Sequence, residues 1–236
     1  MVHLDLFSGI GGFALAAQWI GFKTIAFCEI DNYCQKILKK NFPDVPIYED
    51  ITKLDGTKFK NVFLITGGFP CQDISIANIK GVGIEGERSG LWSEFFRIIG
   101  EVRPKFALIE NVPALTFRGG TKVNGDLTSI GYDTEWQIVG ANDVGAWHRR
   151  KRIWIVAYPR CEYGEKRKLC KIKIQEFNPS GFSERLVYSR NRTKVATRIL
   201  RNFNGLPNRM DRLRGLGNAV VPQVAYEIMK GIYDKG

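Results

Sequence analysis

Disulfide chemistry has little to work with in this sequence. Its five cysteines, Cys28, Cys34, Cys71, Cys161 and Cys170, are odd in number and include no Cys-x-x-Cys pair. That argues against a disulfide framework or a zinc knuckle and fits reduced thiols with no bound metal. Long apolar runs are lacking too: none reaches the roughly 18 residues that a membrane-spanning helix requires. No signal-peptide pattern precedes the strand-like run Val2-His3-Leu4-Asp5-Leu6-Phe7. A cytoplasmic protein with no membrane partner is therefore expected. Acidic residues are scarce in one region only. The net charge is +11, yet residues 149–214 hold 19 Lys and Arg against 5 Asp and Glu, an excess of +14. The remainder, with 16 basic and 19 acidic residues, carries −3. A charge run of this kind is either a solvated face or a polyanion surface. The aromatics Tyr163, Phe177, Phe182, Tyr188 and Phe203 interleaved with it fit the second reading.

What is present is a globular composition, 236 residues with 44% hydrophobic content. That suits one sizeable domain with a small appendage. Val2–Phe7 reads as a first strand, followed by Ser8-Gly9-Ile10-Gly11-Gly12 and an apolar-periodic helix from Phe13 to about Ile20. A strand, a glycine turn and a helix N-terminus make a nucleotide-type cradle, because free amides and close backbone approach suit a bound ligand. Alone, the pattern fits NAD, FAD or S-adenosylmethionine (SAM) equally, or a tight turn with no ligand. Thr24–Cys28 reads as a second strand ending at Glu29-Ile30-Asp31. An acid at this tip is where a ribose hydroxyl pair is held. Asp31 better suits the N-cap of a helix over Asn32–Asn41, and Glu29 better suits the ribose. Pro46-Ile47-Tyr48 is a short strand, and Asp50 follows at its tip.

The apolar run Val62-Phe63-Leu64-Ile65 reads as a buried strand that leads into Gly67-Gly68-Phe69-Pro70-Cys71-Gln72. Gly and Pro force a sharp exit there and deliver a cysteine to the sheet's carboxyl edge, where open α/β sheets keep their ligands. The plain alternative for Cys71 is a small buried hydrophobe. Residues 73–90, broken by Gly81, Gly83, Gly86 and Gly90, form a long loop of the kind that usually serves as a functional lid. A helix to Val102 follows, then a strand Phe106–Ile109 ending in Glu110-Asn111-Val112-Pro113. Glu110 is expected to face the cleft that holds Cys71, or else to be an exposed loop acid. Helical sequence runs to Ile130, strand-like sequence over Tyr132–Ile138, and Ile153–Ala157 is another strand. Alternation at its start puts Arg150 and Arg152 on one side. After Pro159 the apolar pattern fades to about Gly205, and the chain closes with a helix from Gln223 to Tyr233.

Five motifs stand in one order: Asp5-Leu6-Phe7-Ser8-Gly9-x-Gly11-Gly12, Gly68-Phe69-Pro70-Cys71-Gln72, Glu110-Asn111-Val112, Arg150-x-Arg152 and Gly217-Asn218-x-Val220-Val221-Pro222. In that order the chain resembles the cytosine-C5 DNA methyltransferases, and in its short length the members carried by phages and prophages. The resemblance covers the chain end to end except within about 159–205. It implies an α/β, Rossmann-like SAM-dependent methyltransferase sheet with a small target-recognition insert. The expected division is a catalytic SAM-binding domain over 1–158, a basic recognition segment over 159–205, and a return to the catalytic domain over 206–236.

The resemblance also implies roles. Phe7, Ser8, Gly9, Gly11 and Gly12 match the cofactor loop. Glu29 with Ile30 matches the ribose site, Asp50 with Ile51 the adenine site, and Asn218 and Val220 the segment that closes the cofactor pocket. Cys71, beside Gln72, matches the nucleophile that adds to cytosine C6 and makes C5 carbanion-like. Glu110 would hold N3 and the exocyclic amine. Arg152 would hold the carbonyl oxygen, and Arg150 would support that site or a phosphate. Ser75 and Arg88, on the loop that closes over a flipped-out base, and Arg185, Arg190, Arg192 and Arg198 in the insert are expected to touch DNA. His148 stands where many members have Gln, Ile74 replaces the more usual aromatic, and the recognition segment holds no Thr-Leu pair. The expected partners are double-stranded DNA and a cognate restriction endonuclease, with the chain a monomer. Rival readings are an RNA cytosine methyltransferase on the same motifs, a nicotinamide oxidoreductase with a redox cysteine, and an idle DNA-binding protein.

Overall fold

Alternating apolar strands and amphipathic helices have one economical solution, a sheet covered on both faces. The computed structural model describes residues 1–70, 90–146, 148–160, 215 and 217–234. Among them the strands are β1 (Val2–Leu6), β2 (Lys23–Cys28), β3 (Ile47–Tyr48), β4 (Leu64–Gly67), β5 (Phe106–Asn111), β6 (Tyr132–Val139) and β7 (Arg152–Pro159). They form one sheet in the order β3-β2-β1-β4-β5-β7-β6. β3, β2, β1, β4 and β5 run parallel, while β7 is antiparallel to β5 and β6 antiparallel to β7. This is the α/β, Rossmann-like arrangement expected.

The helices are α1 (Gly12–Ile20), α2 (Asn32–Asn41), α3 (Gly90–Val102), α4 (Leu115–Arg118), α5 (Gly120–Ser129) and α6 (Pro222–Tyr233). Strand alternation sorts their partners. Leu4, Leu6, Ile65 and Ile109 point to one face, where Trp92, Phe95, Ile98 and Ile99 of α3 and Leu127 of α5 cover them. Leu64, Leu108 and Val156 point to the other, against Phe13 and Ala17 of α1 and Val224, Ile228 and Met229 of α6. Truncating a fully buried aromatic such as Phe95 to alanine costs about 3–5 kcal/mol at such sites. Trp92 also donates from Nε1 to Asp126 Oδ2 at 2.7 Å, tying α3 to α5. Because α6 packs on α1, the C-terminal residues return to the first helix of the chain. Among the described residues no helix is long and apolar enough to cross a membrane.

Two central strands carry polar groups where apolar ones would be expected. His3, Asp5 and Thr66 have no solvent exposure. Thr24 Oγ1 lies 2.9 Å from His3 Nδ1, His3 Nε2 lies 2.8 Å from Thr66 Oγ1, and Thr66 Oγ1 donates to Asp5 Oδ1 at 2.7 Å. With the Thr66 hydrogen given to Asp5, His3 donates from Nε2. Burial pushes its pKa down to about 3, so the imidazole is neutral and Nδ1 accepts from Thr24. Burial also raises the Asp5 pKa, against the Thr66 hydrogen bond. Among the described residues Asp5 Oδ2 meets no hydrogen-bond partner, while the Ala14 amide also opposes the rise.

Candidate functional site

The carboxyl ends of β1, β2, β4 and β5 share one edge because these strands are parallel. β7 runs the other way, with Asn111 opposite Ile153 and Glu110 opposite Trp154. Its first residue, Arg152, therefore arrives at the same edge as the last residues of β5. The reversal is what brings a cation next to Glu110.

At the β1 end the chain turns sharply. Phe7, though not glycine, has a φ of 51°, and its ring lies edge-on to Phe95 with centroids 5.7 Å apart. Positive φ at a bulky residue is costly and persists only where the surroundings impose it. Ser8 Oγ donates to the Asp5 carbonyl at 2.8 Å, and Gly11 N to the Ser8 carbonyl at 2.9 Å. Gly12 opens α1, and a Cβ there would stand 2.9 Å from the Val220 carbonyl oxygen. Glycine there leaves room for the Val220 backbone to approach the start of α1.

Glu29 sits at the tip of β2, just above the turn. Its Oε2 accepts from Gly9 N at 2.6 Å and its Oε1 from Asp31 N at 2.8 Å. A carboxylate has more than one acceptor position on each oxygen, which suits Glu29 to a pair of hydroxyls. Burial raises the Glu29 pKa, and the Asp31 and Gly9 amides oppose that. Asp31 takes the role expected of it: its carboxylate caps α2 by accepting from Tyr33 N and Cys34 N. Ile30 is 76% exposed, an apolar side chain offered to the solvent beside Glu29. Asp50 lies past the tip of β3. Its Oδ1 accepts from Thr52 N at 2.9 Å and Thr52 Oγ1 at 2.7 Å, which lowers its pKa and keeps it an ionised acceptor. Ile51 next to it is buried.

Under the Pro70 turn, Glu110 Oε1 pairs with Arg152 Nε at 2.9 Å. A Cβ at Gly68 would stand 2.9 Å from Glu110 Oε2, so only glycine leaves room for this carboxylate beside the end of β4. Burial raises the Glu110 pKa, and the charges of Arg152 and Arg150 pull it back. A carboxyl whose ionisation is opposed by burial and favoured by two arginines is a candidate proton donor or acceptor. Strand alternation does not set the side of Arg150, although its charge, like that of Arg152, acts on Glu110. This residue precedes β7 with a φ of 30°, so alternation has not begun, and its Nη2 donates to the Ala219 carbonyl at 2.7 Å. Arg150 thus ties the edge of β7 to the C-terminal segment.

Asn111 is a residue for which sequence reasoning assigned no task. Its Nδ2 donates to the Phe69 carbonyl at 3.2 Å and its Oδ1 accepts from Val112 N at 2.8 Å. It fastens the approach to Pro70 onto β5. A polar side chain closing an apolar strand was the available signal. Cys71, Gln72, Ser75, Arg88, Arg185, Arg190, Arg192 and Arg198 lie outside the described residues, as do residues 161–205 of the expected recognition segment.

Residues 1–202 match the model of a family described as C-5 cytosine-specific DNA methylase. The Bacillus subtilis (strain 168) protein Type II methyltransferase M2.BsuMI is 39% identical over 165 residues, 66% of this chain and 42% of that protein. Type II methyltransferase M.CviJI of Paramecium bursaria Chlorella virus IL3A is 33% identical over 177 residues, 74% of this chain and 47% of that protein. The chain therefore spans less than half the length of these relatives. A crystal structure described as a DNA modification methyltransferase encoded within a prophage (E. coli) superimposes with a TM-score of 0.57 at 28% identity, over 67% of this chain and 47% of that one. The Spodoptera frugiperda DNMT2 structure shares the fold, with a TM-score of 0.58 at 22% identity, over 70% of this chain and 52% of that one.

Proposed function

Since the chain belongs to the C-5 cytosine-specific DNA methylase family, we propose that it transfers a methyl group from SAM to C5 of a cytosine flipped out of duplex DNA. The observation that carries this reading is the pairing of two sites on one sheet edge. One is the Glu29 carboxylate hydrogen-bonded to the Gly9 amide at 2.6 Å. The other is the buried Glu110–Arg152 pair at 2.9 Å beside the end of β4. A nucleotide-like cofactor and a polar heterocycle each have a matched set of groups there.

The residues fit SAM on their own chemistry. The glycine turn is open, since a Cβ at Gly9 would meet nothing within 4 Å. Glu29 offers two acceptors for ribose hydroxyls, Ile30 an apolar surface for the adenine ring, and Asp50 an ionised acceptor for its amine. When bound, SAM supplies an electrophilic methyl group. Glu110 in its protonated form donates to cytosine N3 and accepts from the exocyclic amine. Arg152 donates toward the O2 carbonyl as charge builds there. With the ring so polarised, the Cys71 thiolate adds at C6, forming an S–C6 bond and leaving the electron pair at C5. The C5 electron pair would take the methyl group as the sulfonium S–C bond breaks, leaving S-adenosylhomocysteine; the C5 proton would then pass to solvent while the S–C6 bond breaks, releasing the Cys71 thiolate and restoring the C5–C6 double bond. Arg150, anchored on the Ala219 carbonyl, supports the same wall. Residues 159–205 carry DNA recognition as an insert between the catalytic segments 1–158 and 206–236, with phosphate contacts from their basic side chains.

The test is covalent trapping. Duplex DNA carrying 5-fluorocytosine, incubated with SAM and the protein, should give a denaturant-stable complex, because fluorine cannot leave C5 as a proton does. Cys71→Ala should give none. Trapping by Cys71→Ala at wild-type yield, or methyl transfer to tRNA in place of DNA, refutes the reading.

A further inference from the structure

Arg97 lies midway along α3, and no role in the reaction has been given to it. Its guanidinium makes four hydrogen bonds. Nε donates to Glu94 Oε2 at 2.8 Å, and Nη2 stands 2.7 Å from the same oxygen as an ion pair. Nη1 reaches Glu101 Oε1 at 2.8 Å. The other two go to backbone: Nη2 to the Ile51 carbonyl at 2.8 Å and Nη1 to the Leu54 carbonyl at 3.0 Å. Glu101 extends the set, since its Oε2 accepts from Gly56 N at 2.8 Å.

Carboxylates three and four residues away on the same helix are common surface partners that contribute little. The two carbonyls are different, because they lie 46 and 43 residues away in sequence. They belong to the short 3-10 turn Ile51–Lys53 and the residue after it. Asp50 is the N-cap of that turn. Thr52 occupies Asp50 Oδ1, which leaves Oδ2, 3.7 Å from Lys53 Nζ, as the outward oxygen. The direction of that oxygen is set by the turn, and the turn is held to α3 by Arg97. Lysine could reach one carbonyl but cannot span both while forking onto two carboxylates.

We propose that Arg97 is a positioning residue for adenine: through the Ile51 and Leu54 carbonyls it fixes the turn that aims the Asp50 carboxylate at the amine of the cofactor's base. This rests on the cofactor reading above. It concerns selection of the base, a property that the fold and the glycine turn do not supply by themselves. A carboxylate accepts from the 6-amino group of adenine and repels the 6-oxo group of hypoxanthine. Correct placement therefore appears as a preference between the two.

The experiment is calorimetric titration of the full chain with S-adenosylhomocysteine and with S-inosylhomocysteine, for the wild type, Asp50→Asn and Arg97→Lys. The wild type should favour the adenosyl ligand. Arg97→Lys should weaken it by about tenfold, the loss of roughly one well-placed hydrogen bond, while the inosyl affinity changes little. The preference should fall toward that of Asp50→Asn. If both ligands weaken equally in Arg97→Lys, the residue is a general structural tie and the proposal is overturned. Unchanged affinities overturn it too, as does a wild type with no preference for adenine. Should Arg97→Lys fail to fold, Glu94→Gln loosens the same guanidinium from its more exposed side and is read by the same ratio. A wild type that binds neither ligand refutes the cofactor reading itself, a distinct outcome.

Discussion

Removing Arg152 tests the core of the proposed chemistry. The pair it makes with Glu110 is largely withdrawn from water, with side-chain exposures of 23% and 10%. Arg152→Ala leaves Glu110 without its nearest cation. If Glu110 stayed ionised, breaking such a pair would cost about 3–5 kcal/mol. Protonation relieves much of that, because burial already raises the Glu110 pKa and Arg152 is the chief influence opposing the rise. The sign of the pH dependence follows. A carboxyl with a raised folded pKa contributes most to stability below its ordinary value of 4.5 and less as pH rises toward the folded value. Without Arg152 the folded value rises further, so that interval extends upward. Urea denaturation should show Arg152→Ala closest to the wild type near pH ~4 and progressively less stable toward pH ~7. Turnover on a defined duplex should fall by about 10²–10³, the effect of losing one donor to developing charge. Affinity for the duplex should change far less. A stability gap independent of pH would refute the coupling between the two residues. Equal losses in turnover and DNA affinity would refute a role in the transition state.

Glu29→Ala should weaken SAM binding by about tenfold or more, since it removes both acceptors and frees the Gly9 and Asp31 amides; calorimetry with the fold checked by circular dichroism measures this. Unchanged affinity would leave Glu29 as a brace for the turn alone. DNA binding by the full chain should weaken steeply with salt, as phosphate contacts from the basic segment 149–214 require, and deletion of 159–205 should abolish site-selective methylation in bisulfite sequencing of cellular DNA. A methylation pattern unaffected by the deletion would place recognition elsewhere.

Most of the strands and helices were legible because their apolar spacing is a local property. The observed α2 spans Asn32–Asn41, as the cap and periodicity predict, and Asp31 and Glu29 divide their tasks as their positions suggest. The fourth strand was read two residues early, over Val62–Ile65 in place of Leu64–Gly67. Gly67 was taken for the exit from the sheet. It is in the ladder, and it is glycine because a Cβ would come within 2.8 Å of the Phe95 ring. Arg150 and Arg152 were read as sharing one side by strand alternation; the strand begins only at Arg152, so alternation is not the reason, yet both charges act on Glu110. The least legible contacts join side chains to distant backbone carbonyls, Arg97 to Ile51 and Arg150 to Ala219. A carbonyl has no residue type, so nothing in the sequence marks it as a partner.

The buried run from Thr24 through His3 and Thr66 to Asp5 crosses β2, β1 and β4 in turn. Past Lys23 at the start of β2 those strands are otherwise apolar, and a slip of two residues would keep every side chain on its own face at little hydrophobic cost. The hydrogen bonds penalise such a slip heavily. Each buried partner left unmatched costs about 1–3 kcal/mol, and a two-residue shift would strand several at once. The chain of polar groups thus works as a key for strand registry. It admits one alignment of the three central strands, and so one relative height for the glycine turn after β1 and the Pro70 turn after β4.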